Sequence, residues 1–156
     1  MDPVTVTLRA AQDTWDVTAG LPSGWSAQEL PDGSVALVAP QRPGEFTPNV
    51  VLGLTVLPSG TDASVLLGSV RAARDQLPAV TLVGEEEREV GGRSWYVTEY
   101  AFTHDQAGTL AQGVRLARAD GTAPVYVRST ATCAGTPEDP AAGLAALAAV
   151  QDAVTW

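Results

Sequence analysis

The stretch Asn49–Leu57, NVVLGLTVL, is apolar on both sides of its alternation. As an extended strand it points Val50, Leu52, Leu54 and Val56 one way, and Val51 and Leu57 the other. Ser94–His104 repeats the pattern, with Tyr96, Tyr100 and Phe102 on one side and Trp95, Val97 and Ala101 on the opposite side. A sheet wet on one face alternates apolar with polar residues more cleanly than this. Strands of this kind need cover on both faces, so the chain must supply covering elements elsewhere.

Two segments meet that need. In TDASVLLGSVRAARDQLP, residues Ala63, Leu66, Leu67, Val70, Ala73 and Leu77 recur at helical spacing. Arg71, Arg74 and Asp75 take its wetter positions, Thr61 or Asp62 caps its start, and Pro78 stops it. In DPAAGLAALAAVQDAV, Asp139 reads as the cap and Pro140 as the first helical residue. Leu144, Leu147, Val150 and Val154 form its stripe. Between the helices lie strands near Val35–Ala39, Val50–Leu57, Val80–Glu87, Ser94–Thr103, Leu110–Ala119 and Val125–Cys133. Another surrounds Trp15–Ala19, and Pro3–Leu8 adds an edge. Asp32-Gly33, Gly91-Gly92 and Asp120-Gly121 supply the positive φ angles of two-residue hairpins, while HDQAG, from His104 to Gly108, makes a longer loop.

The expected fold is therefore α+β: a mainly antiparallel sheet of about six to seven strands with one helix on each face. With 156 residues and no linker, the chain reads as one domain, with residues 1–13 an edge strand and N-terminal extension.

The order of these elements and four local motifs resemble the PsbP-like superfamily of α/β/α sandwiches, and within it the actinobacterial LpqN-type lipoproteins. The motifs are the Pro22-Ser23-Gly24-Trp25 corner, Asn49 entering the third main strand in PNVVLGLTV, the glycine and aromatics of GGRSWYVTEYAF, and the closing helix. The likeness covers about residues 14–154. The sequence departs from the lipoproteins in having neither a signal peptide nor an anchoring cysteine at its start. The chain as it stands is thus expected in the cytoplasm, or in the envelope or outside the cell if an export segment has been removed. No apolar run is long enough for a membrane span.

Composition narrows the chemistry. All 9 basic residues are arginine, so a phosphate loop needing lysine cannot be built. The net charge of −9 disfavours nucleic acid and anionic lipid surfaces as nonspecific partners. Cys133 is alone, so no disulfide forms within the chain, and its nearest charges, Glu138 and Asp139, do not favour a thiolate. His104 is the single histidine, and Asp105 beside it points to the opposite face of an extended strand. No Gly-x-Ser-x-Gly elbow occurs. The acidic run EEERE, Glu85 to Glu89, lacks a calcium-loop pattern and reads as a solvated edge that discourages aggregation. No metal site or cofactor is expected.

The resemblance implies a non-enzymatic accessory protein that binds a protein or a small lipid-like, apolar ligand. Such proteins include photosystem extrinsic subunits, a nuclear import factor, envelope lipoproteins and secretion chaperones. The residues expected to carry binding are Trp25, Tyr96, Tyr100, Phe102, His104 and Arg128, because exposed aromatics and arginine dominate interface energetics, while the first reading of Tyr96, Tyr100 and Phe102 is as core residues. For Trp25 the alternatives are a plug at the end of the sandwich or one wall of a ligand mouth. Two other readings are a chaperone-like module holding an apolar partner segment and a small enzyme using His104 or a buried carboxylate. The protein is expected as a monomer or homodimer.

Overall fold

The chain forms nine strands and two helices in a computed structural model that describes residues 1–119 and 124–156. They are β1 (Asp2–Ala10), β2 (Asp13–Leu21), β3 (Ser26–Glu29), β4 (Val35–Val38), β5 (Asn49–Val56), α1 (Ala63–Asp75), β6 (Thr81–Val90), β7 (Arg93–His104), β8 (Gly108–Arg118), β9 (Val125–Ala134) and α2 (Leu144–Asp152). Seven strands make one sheet in the order β3-β4-β5-β9-β8-β7-β6, every neighbouring pair antiparallel. The chain leaves the sheet after β5, crosses through α1 to the far edge, and meanders back until β9 lies beside β5.

Both faces of β7 are buried, as its two-sided apolar pattern requires. Tyr96, Tyr100 and Phe102 pack with Leu110, Val114 and Leu116 of β8 beneath Leu66 and Val70 of α1. Trp95, Val97 and Ala101 belong to a second cluster, with Val50 and Leu52 of β5 and Leu144, Leu147 and Val150 of α2. Each face of the sheet thus carries one helix.

The N-terminal strands do not join the edge of this sheet. β1 and β2 form their own antiparallel hairpin, turning through Ala11 at φ +52°. Its Val6, Leu8, Val17 and Ala19 are buried in the α2-side core, whereas Thr5, Thr7 and Asp16 face outward. A hairpin with one apolar face gains more by lying on a dry face than by extending an edge.

Cover is uneven on the α1 side. Val51, Gly53 and Thr55 of β5 and Arg128 and Thr130 of β9 are only partly buried there. Strand β3, the first arm of the hairpin expected about Asp32-Gly33, is exposed throughout and forms the edge beyond β4.

Turn chemistry is obeyed where it is local. Gly91 and Gly92, at φ +60° and +78°, close a two-residue link between paired Val90 and Arg93. His104 and Gly108 are paired across the predicted longer loop. Asp32-Gly33 instead sits within a wider loop, since β3 and β4 last pair at Glu29 and Val35. The predicted Asp120-Gly121 turn lies outside the described residues.

Helix α1 starts as expected: the Asp62 carboxylate accepts from the Ser64 N–H at 2.8 Å, which lowers its pKa. Helix α2 starts later than expected. Asp139 is held in a preceding turn, where its N–H donates to the Thr136 hydroxyl at 3.0 Å, and the helix begins after Gly143. A Cβ on Gly143 would come within 2.8 Å of the Cys133 sulfur, so this end of the helix rests directly on β9.

Arg74, expected on the wetter side of α1, is buried with 8% of its surface exposed. It donates to the Thr98 hydroxyl at 3.1 Å and to Glu85 at 3.4 Å. Glu85 also binds Arg71 at 2.5 Å and accepts from the Tyr96 hydroxyl. The acidic run is therefore not solvated throughout, because its first member fastens α1 to the β6 edge.

Candidate functional site

One end of the sandwich opens into a cavity of about 780 Å³. Its outer wall is the connection from β4 to β5, residues 39–48, closed at its neck by a hydrogen bond from the Ala39 N–H to the Pro48 carbonyl at 3.0 Å. Three prolines restrict the backbone of this loop, and Gly44, at φ +75°, supplies its left-handed turn. Phe46, Pro40 and Pro48 line the cavity from the loop, and Leu147 and Ala146 of α2 from the opposite side. Trp25 lines a third side. Its N–H donates to the Pro22 carbonyl at 3.0 Å across a turn that places Gly24 at φ +82°, which aims the indole at this end of the fold. Trp25 is half-buried and also packs on the α2-side core, so it combines the plug with the wall.

Cys133 borders the same space from the end of β9, and burial pushes its thiol pKa up. The neutral thiol behaves there as a small apolar surface. The charged rim, Arg42 and Glu45, is exposed and paired at 4.0 Å.

The structure does not gather the six predicted binding residues into one place. Tyr96, Tyr100 and Phe102 are buried beneath α1, with the Tyr100 hydroxyl bonded to Gln112 at 2.8 Å. Burial is the main cause that raises the pKa of both tyrosines. His104 lies at an exposed turn, where Nδ1 accepts the backbone N–H groups of Gln106 and Ala107 at 3.2 and 3.1 Å. These two bonds tie the ring to the β7–β8 loop. Arg128 lies on the uncovered half of the α1 face, its Nε donating to the Thr130 hydroxyl at 3.3 Å. Only Trp25 lines the large cavity. Phe46, Pro40, Pro48 and Leu147 are absent from the predicted set, although the Pro- and Gly-rich run APQRPGEFTP was the available signal, being longer than most strand connections.

Among the described residues, no cluster of three or more His, Cys, Asp or Glu side chains is placed to hold a metal. No described helix is long and apolar enough to cross a membrane.

Sequence comparison matches no protein family and no curated protein. Solved structures do match. LpqN, involved in cell envelope biogenesis of Mycobacterium tuberculosis, superposes with a TM-score of 0.69 at 14% identity, over 89% of this chain and 82% of its own. Cyanobacterial PsbP (CyanoP) from Synechocystis gives 0.57 at 15% identity, over 89% and 85%. The fold is PsbP-like. A third match is PA94 from Pseudomonas aeruginosa, a protein of unknown function, with a TM-score of 0.60 at 14% identity over 97% and 96% of the two chains. The identities are low, so the likeness lies in how the layers are arranged.

Proposed function

We propose that this chain is a non-enzymatic accessory module whose end cavity takes a small apolar ligand. The observation that carries the reading is the composition of the walls: Trp25, Phe46, Pro40, Pro48 and Leu147 surround a space of about 780 Å³. Ligand sites are concave, mostly apolar and of this size range. The non-enzymatic part is supported by His104, whose ring closes a turn, and by Cys133, whose thiol is held neutral by burial. The match to LpqN, whose described role is in the cell envelope, is in keeping with lipid-like cargo.

The test uses a neutral apolar fluorophore, N-phenyl-1-naphthylamine, titrated against the whole chain. Saturable enhancement is expected, with quenching of indole emission. Ala146→Trp is the blocking variant, because Ala146 lines the cavity from an exposed helix position and the larger ring fills the space without entering the core. Undiminished binding by Ala146→Trp, or no saturable binding by the native chain, rejects the assignment.

A further inference from the structure

Nine basic residues face 18 acidic ones in this chain, so an arginine without a carboxylate partner is unexpected. Arg42, Arg71, Arg74, Arg88 and Arg115 all form ion pairs. Arg93 donates to the Trp156 carbonyl at 2.7 Å and lies over its ring. Arg118 lies over Tyr126 and has a further interaction. Arg9 and Arg128 form no ion pair among the described residues, and both line a second cavity, of about 380 Å³, on the uncovered half of the α1 face.

The fold works to bring these two together. The Arg9 N–H donates to the Gly33 carbonyl at 2.9 Å, docking the tip of the first hairpin on the β3–β4 loop. Gly33 sits at φ +89°, and a Cβ there would fall 2.3 Å from the Arg9 carbonyl oxygen, so only glycine permits the approach. Arg128 stands directly across from Gly53, which leaves the neighbouring position on β5 without a side chain. The hydroxyls of Thr55 and Thr130 line the same space. Thr130 already accepts from Arg128, which leaves its own proton to donate. Asp32 is on the lining too, but its carboxylate accepts from both the N–H and the hydroxyl of Ser34, which lowers its pKa.

We infer that this cavity is a phosphate-ester site, with Arg9 and Arg128 as the two anion-binding groups. A phosphate has terminal oxygens enough to accept from two guanidinium forks at once, which are better matched to it than ammonium groups. Thr55 and Thr130 add neutral donors. Asp32, an acceptor at the edge, suits a hydroxyl on the group that carries the phosphate. The ligand class is a small polyol phosphate, met either free or as a lipid headgroup. This inference is independent of the apolar cavity, which shares no lining residue with this one.

The experiment titrates the full chain with glycerol 3-phosphate by calorimetry, and in parallel with phosphatidylcholine vesicles with and without phosphatidic acid. Binding of the soluble ester identifies a free ligand, and binding only to the phosphatidic acid vesicles identifies a headgroup. Either result supports the site if Arg9→Gln and Arg128→Gln each weaken it about tenfold or more, the loss of a charge-assisted hydrogen bond. Arg9 is exposed, so its variant leaves the fold intact, and circular dichroism checks both. Binding to neither probe, or affinity unchanged in both variants, overturns the inference. The fluorophore titration of the apolar cavity is unaffected by these variants, so the two proposals fail separately.

Discussion

Replacing Glu85 by glutamine tests the network that fastens α1 to the sheet edge. The carboxylate binds Arg71 at 2.5 Å, Arg74 at 3.4 Å and the Tyr96 hydroxyl. The Tyr96 hydroxyl bond, followed by Arg71, lowers its pKa from 4.5 to about 2. At ~1.4 kcal/mol per tenfold change in proton affinity, that difference corresponds to at most ~3.4 kcal/mol of stability. The side chain is 25% exposed, so solvent screening reduces the contribution to about 1–2 kcal/mol. A folded-state pKa below the unfolded one contributes fully above the unfolded value and is lost as pH falls through the folded value. The stabilisation is therefore complete above about pH 5 and fades between about pH 4.5 and 2. Urea unfolding at pH 7, 4 and 2.5 measures it directly. Glu85→Gln should lower stability by about 1–2 kcal/mol at pH 7, or about 3–6 °C in Tm for a chain of this size, and the deficit should shrink as the native carboxyl protonates. A variant as stable as the native chain at pH 7, or a deficit of the same size at pH 2.5, would refute the electrostatic account.

Two other substitution pairs probe the remaining layers. Gly33→Ala should destabilise by about 2–4 kcal/mol, because its Cβ meets the Arg9 carbonyl at 2.3 Å, whereas Gly91→Ala, with open space around it, should cost only the ~1–2 kcal/mol of a left-handed residue. Equal losses in thermal unfolding would show that the hairpin tip is not docked on Gly33. Under α2, Arg115 is 2% exposed and bonds Asp152, and its Nε has no partner among the described residues. Asp152→Asn strands that buried charge and should cost about 3–5 kcal/mol, while Arg115→Met removes it and should be neutral or stabilising. Denaturant midpoints decide the matter, and the reverse order would mean that the ion pair itself holds the helix down.

Where a residue's role depends on near neighbours, the sequence was readable. The two-sided pattern of β7 marked a strand buried on both faces, since alternation alone sorts its side chains. Gly91-Gly92 closed the hairpin it announced, Asp62 capped α1, and Pro22 to Trp25 formed the expected turn. The predicted binding set fared differently. Tyr96, Tyr100 and Phe102 lie on a face that the two-sided pattern already marked for cover, and α1 supplies that cover, but nothing in their spacing says which of the two helices will do so. The wall formed by Phe46, Pro40 and Pro48 was signalled only by the length and proline content of its loop.

Short-range pattern thus decided that this protein would be an antiparallel layer with a helix on either side, because strand alternation, helical spacing and turn chemistry all act within a few residues. Tertiary packing decided that the first hairpin would lie on the sheet as a separate layer, that Arg74 would be buried, and that Asp139 would end in a turn instead of capping α2. It also decided which residues share a cavity, bringing Trp25 to Leu147 and Arg9 to Arg128. Those meetings depend on which surfaces are buried against each other and on glycines that admit a backbone at close range, and both are properties of contacts far apart in the chain.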